Sequence, residues 1–190
     1  MFKDGITRTT AHQLQAAWAQ WCLEHVEKGF VPSLTTFMFD PLPGKIEAQS
    51  RQMRLDIELF YSRFVTRCVR DPRQSSKQHL LPRMIGCSDL PVFKRDGQAT
   101  TDTRINAGLH VHATMLVNPG CRLRETFQQH ITRFEVMYRH GTRMASIHVV
   151  PVRTTPERAA SYVFKCLGTA TSLDDVIVLP RHLSELSKRS

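Results

Sequence analysis

The chain has 190 residues, which suits a single domain with a sizeable core and leaves no room for a second large catalytic module, so any helicase partner would be a separate protein. Its net charge of +9 favours a polyanionic partner such as nucleic acid, because basic side chains that neutralise phosphates release counterions; a merely solvated basic surface is the alternative. The five cysteines show no paired CxxC spacing, and the chain lacks both a signal-peptide core and an apolar run of about 20 residues. These features argue against a zinc ribbon, a disulfide framework or a membrane span, and for a cytoplasmic protein.

The first third of the chain predicts a helix, a strand and a second helix. Residues 10–28 carry apolar or aromatic side chains at three- and four-residue steps and are followed by Gly29, which predicts a helix with one apolar face. Residues 30–39 are rich in β-branched and aromatic types and stop at DPLPG, which indicates a strand and a turn. Residues 45–70 have helical apolar spacing, and we expect these residues to face the core: Met53, Ile57, Phe60, Phe64 and Cys68.

The part of the chain after residue 70 begins with a polar connection over 71–79, followed by predicted strands in 84–93 and 105–117 with a loop over 94–103 between them. An amphipathic helix is predicted over 123–141 and a strand over 146–152. A short helix should follow, with Thr155 as N-cap, Pro156 at its first position and Gly168 after its end. The tail after it could add one more strand. The resulting order favours an α+β domain with a largely antiparallel central sheet and helices packed on it.

Two histidines stand on either side of one valine in the strand that contains HVHATMLV. Side chains alternate between the faces of a strand, so His110 and His112 share one face. The opposite, core-facing set is entirely apolar and comprises Leu109, Val111, Ala113, Met115 and Val117. Two neighbouring imidazoles are suited to binding one metal ion, whereas a histidine that only fills a core usually occurs alone. Asp89 is the first choice for a third ligand, with Asp102 and His148 as alternatives.

A tyrosine and a lysine lie three residues apart in the short helix, and therefore on one face: Tyr162 and Lys165. A phenol with a pKa of about 10 needs either a base or an electrophile that a cation has already polarised. A metal on a phosphate would provide that electrophile, and Lys165 could neutralise charge on the phosphate oxygens. The alternative is that Tyr162 packs on the sheet and Lys165 is solvated.

The segments SLTTFMF, HVHATM and YVFK occur in this order, and with them the chain resembles the HUH endonucleases, specifically the single-tyrosine rolling-circle replication initiators, over about residues 30–170. The resemblance implies a ferredoxin-like or RRM-like palm within one HUH domain over 1–190, with a helical N-terminal extension at 10–28 and a basic tail at 171–190. It further implies that His110, His112 and an oxygen donor such as Asp89 hold Mg²⁺ or Mn²⁺. Tyr162 would be the nucleophile that forms a 5′-phosphotyrosine link, and Lys165 its helper.

The resemblance also implies a substrate: a single strand or hairpin at a DNA origin, with a host helicase as a further partner. Basic residues would track the strand, namely Arg122, Arg124, Arg139, Arg143 and Arg153. The chain departs from members with two catalytic tyrosines, because position 166 is Cys and no tyrosine follows Tyr162. The alternatives are an HUH transposase or relaxase, a metal-dependent hydrolase in which water attacks, and a non-catalytic nucleic-acid-binding module.

Overall fold

A computed structural model describes residues 8–89, 110–154, 163 and 176–181. In chain order the elements are α1 (Arg8–Glu27), β1 (Val31–Phe39), α2 (Ile46–Cys68), a 3₁₀ helix (Ser75–Leu80), β2 (Arg83–Asp89), β3 (His110–Val117), α3 (Phe127–Arg139), β4 (Met144–Pro151) and β5 (Val176–Leu179). The strands form one five-stranded sheet in the order β4-β1-β3-β2-β5, and every neighbouring pair is antiparallel. The predicted α+β class is confirmed, and the architecture is consistent with a ferredoxin-like or RRM-like palm.

The three predicted amphipathic helices are present, with one corrected boundary. Gly29 follows α1 with a φ of +87°, a conformation that glycine adopts without steric cost. The third helix was expected to begin near Leu123, but α3 begins at Phe127 because Thr126 caps it. The Thr126 hydroxyl accepts a hydrogen bond from the backbone N–H of Gln129 at 3.2 Å. In return, the side-chain oxygen of Gln129 accepts one from the backbone N–H of Thr126 at 3.0 Å. Leu123 precedes the helix and still packs on the core.

The main core lies between one face of the sheet and helices α2 and α3. The apolar stripe of α2 is fully buried there, as its helical spacing predicted. The Phe60 ring lies 5.0 Å from that of Phe37 on β1 and 5.1 Å from that of Tyr138 on α3, measured between centroids. Burying one such ring contributes about 1.5–3 kcal/mol, so this layer fixes how the helices sit on the sheet.

A second, smaller cluster covers the other face of the sheet. Its buried members come from α1, from the residue that precedes β1, from β2 and β3, and from position 163, and they are Cys22, Phe30, Ile85, Cys87, Leu116 and Val163. Because both faces are covered, β2 and β3 are buried almost throughout. The face opposite the main core is therefore a packed layer in its own right.

Close approach of two strands explains one glycine in β2. A Cβ atom at Gly86 would lie 3.0 Å from both the Ala113 Cβ and the His112 carbonyl oxygen of β3. Only a residue without a side chain lets β2 approach this closely to β3, which is the strand that carries both histidines.

Candidate metal and nucleophile site

The two histidines of the HxH motif lie on the middle strand of the sheet. Their ring centroids are 4.8 Å apart and the ring planes meet at 80°. Val111, Ala113, Met115 and Val117 all lie in the main core, so the predicted division of β3 into an apolar face and a histidine face is confirmed for the described residues. Leu109 lies outside the residues that the structure describes.

Burial differs between the two imidazoles. His110 is only 5% exposed, and His112 is half-buried. The sheet register places Met38 and Asp89 opposite His110, and Thr36 and Cys87 opposite His112. Two residues of β1 and two residues of β2 therefore flank the two histidines.

Thr36 on β1 positions the second imidazole. Its Oγ1 atom shares a hydrogen bond of 3.0 Å with Nδ1 of His112. A hydrogen bond at one ring nitrogen fixes both the orientation of an imidazole and its tautomer, which is how neighbouring groups prepare a histidine for a metal. Thr36 belongs to the SLTTFMF segment, but its sequence position does not indicate this contact, because only the register of β1 against β3 reveals its partner.

The three candidates for a third metal ligand, Asp89, Asp102 and His148, differ in their position relative to the two histidines. The backbone of Asp89 ends β2 directly opposite His110, and its side chain lies outside the described residues, so its role as a ligand stays a prediction. Asp102 also lies outside them. His148 is exposed on β4, opposite Thr36 and therefore two strands away from His112. Within the described ranges, no group of three or more His, Cys, Asp or Glu side chains could hold a metal ion, so His148 does not join the histidine pair.

One residue of the tyrosine-bearing segment is described, and it packs on the histidine face. Val163 has helical backbone conformation and is 1% exposed. It belongs to the same buried cluster as Cys87, which is the register neighbour of His112. Tyr162 and Lys165 lie outside the described residues, as do the predicted helix boundaries Thr155, Pro156 and Gly168.

The other two tyrosines of the chain are unsuited to nucleophilic attack. The chain has three tyrosines. Tyr61 is buried and donates its hydroxyl proton to the Pro82 carbonyl at 2.6 Å, and Tyr138 is buried with its hydroxyl 2.8 Å from Nε2 of His130. Burial raises the pKa of both phenols well above their usual range, which opposes formation of a phenolate. Tyr162 is the remaining tyrosine.

Four of the five arginines expected to contact DNA lie in connections between elements, and the fifth, Arg139, ends α3. Arg122 and Arg124 lie between β3 and α3, Arg143 precedes β4, Arg153 follows β4, and all four are exposed. Arg139 is half-buried and donates from Nε to the Met144 carbonyl at 3.0 Å, which ties the end of α3 to the start of β4. Its guanidinium therefore has a structural contact of its own.

No protein-family model, curated protein or solved structure matches this chain. No helix in the described portion of the chain is both long enough and apolar enough to cross a membrane. Evidence for a function therefore comes from the paired imidazoles, from Val163 on the same face of the sheet and from sequence motifs that resemble those of the HUH endonucleases.

Proposed function

We propose that this protein is a metal-dependent HUH endonuclease that nicks and rejoins single-stranded DNA, with Tyr162 as nucleophile, and that it initiates rolling-circle replication. The observation that carries the proposal is the packing of Val163 in one buried cluster with Cys87, beside the strand that holds His110 and His112. The two motifs that the resemblance pairs, HVHATM and YVFK, are far apart in sequence. A residue of the second packs on the sheet face that carries the histidines of the first.

The paired imidazoles fit a divalent cation as two of its ligands. They occupy the same face of one strand with their rings 4.8 Å apart, and Thr36 holds one of them at Nδ1. In the proposal each ring binds through one nitrogen, and Asp89, whose backbone is opposite His110, adds an oxygen ligand. This mixed nitrogen and oxygen set suits Mn²⁺ or Mg²⁺. When bound, the cation polarises the scissile phosphate and stabilises the charge that develops on its oxygens.

The chain's own residues carry out the transfer. The Tyr162 oxygen attacks the phosphorus in line and loses its proton, while the bond from phosphorus to the 3′ oxygen breaks and that oxygen takes up a proton. The products are a 5′-phosphotyrosine and a strand with a free 3′-hydroxyl, which can prime synthesis. Lys165 neutralises charge on the phosphate oxygens, and attack by a 3′-hydroxyl reverses the reaction to rejoin the DNA.

The net charge of +9 suits a single strand or hairpin as substrate. Exposed arginines in the connections around α3 and β4 would contact the phosphates: Arg122, Arg124, Arg143 and Arg153. For a single strand, each phosphate contact adds about 0.7 to the downward slope of the logarithm of affinity against the logarithm of salt concentration, so affinity for DNA should fall steeply as salt rises. Duplex unwinding would be supplied by a separate host helicase.

A covalent-adduct assay tests the proposal. Purified protein is incubated with Mn²⁺ and labelled single strands drawn from a randomised pool, and the products are separated under denaturing conditions. We expect a labelled band that migrates with the protein, that disappears with EDTA and that is absent from Tyr162→Phe. Tyr61→Phe is the matched control and should still form the adduct, because that phenol is buried away from the histidine face.

The adduct assay, a native gel and a plasmid-replication test together separate the rival functions. A hydrolase in which water attacks would cut DNA without forming an adduct, and Tyr162→Phe would still cut. A non-catalytic binder would shift DNA in a native gel and leave it intact. A transposase or relaxase would form the adduct, but would not support replication of a plasmid that carries the selected strand as its origin.

A further inference from the structure

Two cysteines that are distant in sequence meet at the edge of the main core. Cys68 is the last residue of α2, and Cys121 lies in the connection between β3 and α3. The Arg122 amide donates to the Cys68 carbonyl at 2.8 Å, which holds the two chain segments side by side. Cys68 is fully buried, whereas Cys121 is half-buried and packs against the same core.

The two thiols interact directly and unequally. A hydrogen-bond interaction between the Cys68 and Cys121 thiols lowers the pKa of Cys121 to about 6. The same bond, together with burial, raises the pKa of Cys68 far above its usual range. The lowered pKa favours the thiolate, the reactive form of cysteine, at half-buried Cys121, and the raised pKa of the neighbouring Cys68 favours its protonated form.

The remaining described thiols have a different environment. Cys22 and Cys87 are buried in the second cluster, on the histidine face of the sheet. Burial raises the pKa of Cys22 to about 12, so this thiol stays protonated and unreactive at neutral pH. Cys22 therefore serves as an internal control for any chemistry at Cys121.

We propose that Cys68 and Cys121 are a reversible dithiol–disulfide pair that closes on exposure to a peroxide. The Cys121 thiolate attacks one oxygen of the peroxide, the O–O bond breaks, and Cys121 sulfenic acid forms with release of hydroxide, or of alkoxide from an organic peroxide. The Cys68 sulfur then attacks the Cys121 sulfur, its proton leaves with the hydroxyl group as water, and the disulfide forms. A dithiol reductant reopens the bond by thiol exchange.

A closed bond would join the end of α2 to the segment that leads into α3. Both helices lie on the sheet face opposite the histidines, so the proposal does not depend on the proposed nuclease activity. Cross-linking these distant positions restricts the unfolded chain, and we expect the thermal midpoint to rise by about 5–10 °C on oxidation. Reversible bonds of this kind are the sort found in reducing compartments, where lasting disulfides are rare.

Peptide mass spectrometry of the full chain tests the pair directly. The reduced protein is treated with hydrogen peroxide, remaining thiols are alkylated in denaturant, and the protein is digested without reductant. We expect one cross-linked peptide that joins Cys68 to Cys121, lighter by two hydrogens than the two separate peptides and lost after treatment with dithiothreitol. Cys22→Ser should give the same peptide. Oxidation of Cys121 to sulfinic acid while Cys68 remains fully alkylated would overturn the proposal.

Two substitutions at Cys68 test the hydrogen bond. Alkylation of wild-type Cys121 by iodoacetamide should titrate near pH 6, because the thiolate is the reacting form. Cys68→Ser retains a donor and should keep the titration low, whereas Cys68→Ala removes the donor and should move it up by more than one pH unit. In both variants peroxide should leave a sulfenic acid that dimedone traps, since the resolving thiol is gone. An unchanged titration in Cys68→Ala, or dimedone labelling of the wild type equal to that of both variants, would contradict the pairing.

Discussion

Replacing Thr36 by valine isolates the hydrogen bond that orients His112. Valine keeps the β-branched shape that suits a strand and removes only the hydroxyl, whose Oγ1 lies 3.0 Å from Nδ1 of His112. Without this partner the half-buried ring can rotate away from the orientation that the metal requires. The histidines themselves and their strand remain in place.

The size of the expected losses in stability and in metal affinity follows from the hydrogen bond that Thr36→Val removes. A neutral hydrogen bond contributes about 0.5–1.5 kcal/mol to the free energy of unfolding, so Thr36→Val should fold with only a small loss. Its effect on the metal should be larger, because removing a group that orients a ligand typically costs about 10–100-fold in metal affinity. That range corresponds to about 1.4–2.7 kcal/mol of binding free energy. We expect isothermal titration calorimetry with Mn²⁺ to show this loss.

Thr114 provides a matched control on the same strand as His112. It is two residues from His112 and buried, and its hydroxyl has no hydrogen-bond partner among the residues described. Thr114→Val should therefore leave Mn²⁺ affinity unchanged and leave the free energy of unfolding equal or higher. If Thr36→Val and Thr114→Val bind Mn²⁺ as tightly as the wild type, the Thr36 contact does not prepare a metal ligand.

Two further predictions concern the scaffold. Gly86→Val should lower the free energy of unfolding by about 1–3 kcal/mol in urea titrations, because its Cβ would lie 3.0 Å from that of Ala113; an unchanged midpoint would show that β2 and β3 separate without cost. Tyr138→Phe should cost about 1–3 kcal/mol, because it removes the hydroxyl that bonds Nε2 of buried His130, and a variant as stable as the wild type would mean that this contact contributes nothing.

The periodic spacing of apolar residues was sufficient to predict which side chains of α2 and β3 are buried in the main core. The helical spacing in α2 correctly identified the residues of its buried face, and the alternation in β3 correctly separated the histidines from the apolar set. Periodicity failed at the start of α3, where Leu123 continues the apolar spacing although Thr126 caps the helix. The signal that would have corrected this is local: Thr126 and Gln129 have the spacing of a capping box.

Contacts between distant strands could not be predicted from periodicity. The bond between Thr36 and His112 joins residues 76 positions apart and depends on β1 being a neighbour of β3. The contact of Cys68 with Cys121 likewise depends on how α2 packs, and each cysteine alone resembles an ordinary core residue. The second buried cluster was missed for a similar reason, since alternation identifies the two faces of a strand but not what covers each of them.

The identity of the residue that becomes bonded to DNA tests the proposed function most directly. The wild-type protein is reacted with single-stranded DNA and Mn²⁺, the adduct is digested with nuclease and trypsin, and the peptides are sequenced by tandem mass spectrometry. We predict a nucleotide attached through its 5′ phosphate to the Tyr162 oxygen, and no attachment to Tyr61 or Tyr138. Attachment to another residue, or cleaved DNA with no protein-linked nucleotide, would contradict the assignment of Tyr162 as the nucleophile.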